Sequence, residues 1–407
     1  MKDINLIPVL LGADLNCYTL SRAFYEACGV KAQAFGRYPL GQTQYSRFLN
    51  FTAVPNLDNP DILVEVLVDF AKKHPDEPLV ALGCTDDYAS LLISCKAELE
   101  PYYIIPYIDA PLRDRLVSKA DFYALCDEYG IPYPKTKVLT ADFTPAWLEP
   151  DALGFGYPLI VKPSSSIEYW KHPFDGMQKV YVADSPAQAE AIIRQIYAAG
   201  YTERMIVQDM IPGEDAYMHV LTTYSDRDCK VKMTCLGHVM LEEHTPKGRG
   251  NHAAIMIEQN KELTDRVRAL LEDLGYRGFA NFDIKYDERD GSLRFFEINL
   301  RQGRSNHYIT AAGINIAELV IRDYFTDEPL ENVDCDSEHL WHCVPWGVVK
   351  RYVRDEAVKA KAAALRRAGK STSALWCRDD LRGNPRRLLW VIRHLLGHYA
   401  KYKKYCK

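Results

Sequence analysis

Apolar runs and amphipathic stretches alternate from the start of the chain. NLIPVLLG, VKAQAFGR and PLVALGC are short apolar runs bounded by turn residues, the pattern of buried strands. YTLSRAFYEACG, PDILVEVLVDFAKKH and DDYASLLISCKAELE repeat apolar residues three and four apart, the pattern of helices packed on such strands. Regular alternation of the two predicts a doubly wound parallel sheet over residues 1–115. Gly12 closes the first strand, and Asn16 or Thr19 is placed to cap the following helix.

Near residue 115 the pattern changes. Ser118 is placed to cap a helix through KADFYALCDEYG, which Gly130 ends and IPYP keeps from restarting. Strands YPLIVKP, KVYVAD and RMIVQDMI, a polar loop SSSIEYWKHPFDGMQ and a helix SPAQAEAIIRQIYAAG predict a small α+β unit at 116–211. Pro212-Gly213 interrupts the chain. The strands AYMHVLTTYS and KVKMTCLGHVM, the loop EEHTPKGRGNH, the helix KELTDRVRALLEDLG and the hairpin NFDIKYDERDGSLRFFEINLRQG then predict a larger unit at 212–330. Residues 331–407 are helical in pattern. The class expected is thus α/β in the first part and α+β after it.

Composition adds bounds. With 407 residues, 47% hydrophobic and 26% charged, the chain can bury one or more substantial cores and is long enough for about two to four domains. No run of about 18 apolar residues predicts a spanning helix. Eleven irregularly spaced cysteines suit reduced thiols and a cytoplasmic setting. Cys335, His339, His342 and Cys343 crowd into CDSEHLWHC, either as metal ligands or as a chance surface segment. Charge is unevenly spread: residues 350–407 hold 17 Lys/Arg against 4 Asp/Glu, although the whole chain has a net charge of −5. Such a basic end suits a polyanionic substrate, an anionic lipid surface or an acidic body to dock on. It lacks the interleaved aromatics of a nucleic-acid platform, so no nucleic-acid partner is expected.

Three features carry candidate chemistry. Glu297 and Asn299 alternate on one strand of the hairpin and so share a face, and Asp283 on the pairing strand can meet them. Three oxygens around one point suit magnesium with a nucleotide; the other reading is a polar solvent-facing hairpin. Lys162 ends an apolar strand beside Ser164, Ser165, Ser166 and Gly176, where it can hold phosphates or simply reach solvent. VQDMIPGED offers backbone groups for a purine and an acid for ribose, or an ordinary acidic turn.

Taken in this order, SKADFYALCDEYGIPYPKT, PLIVKP, IVQDMIPGED and NFDIKYDERDGSLRFFEINLRQG resemble the ATP-grasp ligases over roughly residues 110–320. The resemblance implies a pre-ATP-grasp α/β domain at 1–115, small and large ATP-grasp lobes at 116–211 and 212–330, and a basic helical extension at 331–407. It implies that Lys119, Lys162 and Ser164 bind nucleotide phosphates, that Gln208, Met210 and Ile211 form the adenine hinge, and that Asp215 or Glu214 meets the ribose. Asp283, Glu297 and Asn299 correspond to ligands of Mg2+, or Mn2+ in its place, and Arg301 or Arg304 to the group steadying the phosphoryl or a substrate carboxylate. The activity implied is ADP-forming ligation of a carboxylate to an amine through an acyl phosphate; the other reading is a nucleotide-binding module without turnover. Two departures bear on the substrate: few glycines follow Lys162, and Asn281 stands where several amino acid ligases carry arginine. The layout is most similar to the carbamoyl-phosphate-synthase-like branch, which includes D-aspartate ligases acting on peptidoglycan precursors. A homodimer is compatible with that branch. The loops 164–178 and 244–253 are expected to close as lids, the second bringing Lys247, Arg249 and His252 to substrate. PRRLLWVIRHLLGHYAKYKKYCK has the pattern of a helix lying on an anionic membrane surface, at the inner face if so, or of one packed on the body.

Overall fold

The computed structural model describes residues 4–246 and 248–406. The chain forms two compact units, one of Met1–Arg113, Glu214–Phe282 and Asn299–Lys407, the other of Asp114–Gly213 and Asp283–Ile298.

The first unit opens with the expected parallel sheet, extended at one edge by a strand, Leu49–Ala53, that the hydrophobic pattern does not predict. β1 (Ile7–Leu11), β2 (Ala32–Gly36), β3 (Leu49–Ala53) and β4 (Leu79–Gly83) lie in the order β3-β2-β1-β4. Gly12 sits at φ +144°, and a Cβ there would stand 2.8 Å from Cys84 Cβ, so the first strand can turn into helix Leu15–Cys28 only with glycine. That helix is capped by Asp14, whose carboxylate accepts from the Cys17 amide at 3.2 Å, and not by Asn16 or Thr19. Asn16 is instead buried and donates to the Cys84 and Gln302 carbonyls, while the Thr19 hydroxyl bonds back to Leu15.

The second unit holds an antiparallel sheet ordered β5-β8-β6-β7: β5 (Thr136–Leu139), β6 (Leu159–Pro163), β7 (Tyr181–Ala183) and β8 (Met205–Asp209). Leu139, Leu159, Val161, Met205 and Val207 point to one face, where they pack with Ala189, Ile193 and Ile196 of helix Pro186–Ala198. Alternation therefore sends Lys162 and Gln208 to the opposite face.

Returning to the first unit, β9 (Met218–Ser225), β10 (Val231–Glu242) and β11 (His252–Glu258) form an antiparallel ladder. β12 (Gly278–Asp287) and β13 (Ser292–Asn299), the expected hairpin strands, contribute residues to both units. The large sheet runs β13-β12-β9-β10-β11-β15-β16, with β14 (Val333–Asp334) on β10 and β15 (Leu340–His342) and β16 (Ser371–Ser373) coming from the C-terminal segment. β11 was not expected from the sequence, and the C-terminal segment adds strands to the helices anticipated there.

That segment is fastened to the body. Arg387, on helix Pro385–Tyr405, is wholly buried against Asp380 at 2.8 Å and donates to the carbonyls of Gly41, Gln42 and Gln44. Its guanidinium also lies 4.4 Å from the Tyr18 ring centre. No described helix is long and apolar enough to cross a membrane.

Candidate active site

In the second unit the site grows from strand register. Ile160 pairs with Gln208 across β6 and β8, which puts Lys162 diagonally beside Gln208 on the same face. Lys162 donates to Gln208 Oε1 at 2.9 Å and to the Tyr123 hydroxyl at 3.2 Å, spending two of its three donors. Gln208 is oriented by its own donation to Thr136 Oγ1 at 2.8 Å. Tyr123 is braced by stacking on Tyr133 and by donating to the Phe296 carbonyl. Lys162 is only 8% exposed, and burial pushes its ammonium down to about 8 despite the opposing influence of Glu297.

Glu297 is the counter-charge. Lys119 Nζ lies 3.2 Å from its carboxylate. Lys119 first, and then Lys179 and Lys162, hold the Glu297 carboxyl well below the usual carboxylate range, outweighing burial. Three lysines thus surround one acid, a density of positive charge suited to a polyphosphate. Lys179 was not singled out from the sequence, where it reads only as the first residue of a strand. Lys119 begins helix Lys119–Glu128, whose start is held by Ser164: its hydroxyl accepts from the Ala120 amide at 3.4 Å. Ser118 does not cap the helix with its side chain and accepts instead from Arg204, which also pairs with Asp121.

The hinge is clasped by charges of the hairpin. Lys285 donates to the carbonyls of Ile211 and Gly213, each at 3.0 Å. Arg289 pairs with Asp209 at 2.6 Å and with buried Asp287 at 2.7 Å, and chiefly through that arginine the Asp287 carboxyl is lowered to about 2. Met210 and Ile211 therefore sit on a segment fixed at both ends. Asp283 is half-buried on β12.

The remaining candidates belong to the first unit. Asn299, two residues beyond Glu297 on β13, donates to the Asn281 carbonyl at 3.3 Å. Asp215 accepts from His244 at 2.7 Å and from the Glu242 amide at 2.9 Å, whereas Glu214 pairs with Arg354 at the surface. Arg301 pairs with Asp86 at 2.7 Å and Arg304 with Glu243 at 3.0 Å. Arg304 Nη1 is buried with the weak acceptor Cys343 beside it and no oxygen partner. His307 is buried with neither ring nitrogen hydrogen-bonded, and burial keeps it neutral. Of the lid residues, His252 is buried at the start of β11, Arg249 lies in the turn, and Lys247 is outside the described residues, as is the Ser166 side chain. Cys335, His339, His342 and Cys343 do not converge among the described residues: His339 bonds Thr372, and His342 bonds the Val344 carbonyl.

A family model described as ATP-grasp in the biosynthetic pathway with Ter operon matches residues 232–339. D-aspartate ligase of Enterococcus faecium is 37% identical over 414 residues, covering 100% of this chain and 98% of that protein. The carbamoyl phosphate synthase large chain of Deinococcus radiodurans is 26% identical over 48% of this chain, spanning 18% of that protein. Among solved structures, L-amino acid ligase from Bacillus licheniformis aligns with a TM-score of 0.56 at 16% identity over 81% of this chain and 76% of its own. The biotin carboxylase domain of Hydrogenobacter thermophilus 2-oxoglutarate carboxylase, solved with MgADP and bicarbonate, aligns with a TM-score of 0.60 at 14% identity over 82% and 73% of the two chains. These two likenesses are of fold. On the full-length relationship, the chain belongs to the ATP-grasp family, in which it is a relative of D-aspartate ligase and an ATP-dependent ligase.

Proposed function

We infer that this ligase joins the carboxylate of D-aspartate, or of a closely similar amino acid, to an amine of a peptidoglycan precursor. The observation that carries the reading is the 37% identity to D-aspartate ligase along the entire chain, with Lys119, Lys162, Gln208 and Glu297 gathered in one unit. In this reading ATP phosphorylates the carboxylate, and the amine displaces phosphate from the acyl phosphate. Lys119, Lys162 and Lys179 offset phosphate charge. Ser164 holds the start of the helix that carries Lys119, Gln208 orients Lys162, and Met210 and Ile211 present backbone groups to adenine. Asp215 or Glu214 takes the ribose hydroxyls. The oxygen donors Asp283, Glu297 and Asn299 suit Mg2+, or Mn2+, which supplies further charge neutralisation on the transferring phosphoryl group. Arg304, with an N–H lacking an oxygen partner, fits a substrate carboxylate; Arg301 steadies the transferring group. ADP release is expected to require D-aspartate and a lysine-containing precursor together. Release that no donor–acceptor pair stimulates opposes this reading and favours a nucleotide-binding module.

The acceptor's membrane side has support in helix Pro385–Tyr405. Leu389 and Leu396 are 69% and 61% exposed, in line with exposed Ile392 and Tyr399, and Arg386, Arg393, Lys403 and Lys404 are also exposed around them. An apolar stripe bordered by cations suits an anionic bilayer surface, where a lipid-linked precursor would be met. Each leucine contributes about 1.5–3 kcal/mol on full burial, so replacing both Leu389 and Leu396 with serine is expected to weaken binding to phosphatidylglycerol vesicles by at least about ten-fold. Equal sedimentation of both proteins with the vesicles rules the surface out.

A further inference from the structure

On β9, β10 and β11, His219, His238 and Glu258 share one face of the sheet, beside Ala216 and Tyr217, which follow Asp215 in the chain. His219 and His238 are directly paired, and Glu258 lies diagonally across from His238, whose own partner is Met256. The two imidazoles stack at 4.7 Å with planes 7° apart, and the ligand atoms of the three side chains all lie within 4.8 Å of one another.

Their hydrogen bonds limit where the lone pairs point. His238 Nε2 stands 2.6 Å from the Ala216 carbonyl, which can only accept, so Nε2 carries the proton and the neutral ring has its lone pair at Nδ1. That Nδ1 faces the Glu258 carboxylate at 4.0 Å, too far for a hydrogen bond. His219 Nδ1 stands 3.2 Å from the Tyr217 carbonyl. His219 Nε2 stands 2.8 Å from Glu258 Oε2, also an acceptor only, so a neutral His219 can donate to just one of the two and turns a lone pair toward the other. A second proton on His219, or a cation held between the rings and Glu258, satisfies both contacts at once.

We propose that His219, His238 and Glu258 bind one divalent transition-metal ion of the zinc, cobalt or nickel kind. Each ring has its outer nitrogen beside a backbone carbonyl, the partner that orients a ligating histidine and sets its tautomer. Two imidazoles and a carboxylate select such an ion over magnesium, which prefers oxygen alone. Ligand atoms around tetrahedral zinc stand roughly 3.4 Å apart at ordinary bond lengths, so binding draws the three side chains together and tilts the two stacked rings toward a common point. The fourth position faces the open side of Glu258, whose side chain is 41% exposed against 8% for His219, and takes water or an incoming ligand. His219 first, then His238 and, more weakly, Lys361 on helix Glu356–Arg367 hold the Glu258 carboxyl below its usual range, against burial.

The test uses the full chain, freed of metal and without nucleotide, titrated with Co2+ alone. One ion per chain is expected, with the visible ligand-field bands of nitrogen ligation, and Zn2+ displaces it. His238→Gln and Glu258→Gln, both at partly exposed positions that tolerate replacement, are expected to weaken binding by about 100-fold or more, as a lost ligand costs at least as much as a lost orienting partner. Glu297→Gln is expected to leave the bands in place, which separates this site from the magnesium of the nucleotide site. Absence of the bands in the unmodified protein, or unchanged affinity in folded His238→Gln and Glu258→Gln proteins, overturns the proposal and leaves a protonated His219 paired with Glu258.

Discussion

Replacing Glu297 with glutamine is expected to lower kcat by about 100- to 1,000-fold, the order seen when one group placed for transition-state charge is lost, while the fold survives. The substitution keeps shape and one oxygen but removes the charge around which Lys119, Lys162 and Lys179 are arranged. Two effects follow from that loss. The proposed magnesium site loses an anionic donor, and the lysines, now repelling one another without a counter-charge, no longer hold their positions before nucleotide arrives. Burial already depresses Lys162 to about 8 with Glu297 opposing the shift, so without that acid its ammonium titrates lower still. Steady-state ADP release, measured beside the thermal unfolding of the same protein, checks this. Turnover that persists in a folded Glu297→Gln protein contradicts the assigned role.

Arg387→Ala is expected to destabilise the protein by about 3–5 kcal/mol, because it leaves the Asp380 carboxylate buried without its cation. Both side chains are fully inaccessible, and Asp380 also accepts from Ser46, the Arg47 amide and Tyr18. The cluster thereby fastens the C-terminal helix to the loop before β3 and to helix Leu15–Cys28. Replacing Arg387 and Asp380 together by apolar residues of similar size is expected to recover part of the loss, since the penalty lies in the orphaned charge more than in the lost attraction. Urea unfolding of the three variants gives the comparison. A loss below about 1 kcal/mol for Arg387→Ala would mean that water reaches the carboxylate.

Much of this was legible where the signal is local. Three of the four parallel strands, the helices packed on them and the hairpin follow from periodicity, and Lys162 stood out as a lysine ending an apolar strand; β3, exposed at the sheet edge, lacks the apolar run. Glu297 and Asn299 were found by their spacing of two on a strand. What escaped depends on partners distant in sequence. Lys179 matters only because the fold brings it to Glu297, and the Lys285 and Arg289 clasps on the hinge look like ordinary turn charges until the hairpin is placed. Asp14 caps the first helix in place of Asn16 because Asn16 is drawn into bonds with Cys84 and Gln302, the latter 286 residues away. β11 hid behind the polar loop preceding it. The pairing of His219 with His238 depends on the register of β9 and β10, which a single sequence does not reveal. The basic C-terminal segment illustrates the same limit: its charge was plain, but Arg387 serves an internal ion pair while the leucines of the same helix face outward.

In the proposed reaction ATP activates a carboxylate as an acyl phosphate. Hydroxylamine in place of the natural amine tests it most directly, because this small nucleophile captures an acyl phosphate without needing the acceptor's recognition. Incubated with ATP, Mg2+ and D-aspartate, the protein is expected to form the hydroxamate of the side-chain carboxylate, one for each ADP released, and Glu297→Gln is expected to form neither. ADP accumulating with no hydroxamate would contradict carboxylate activation by this route.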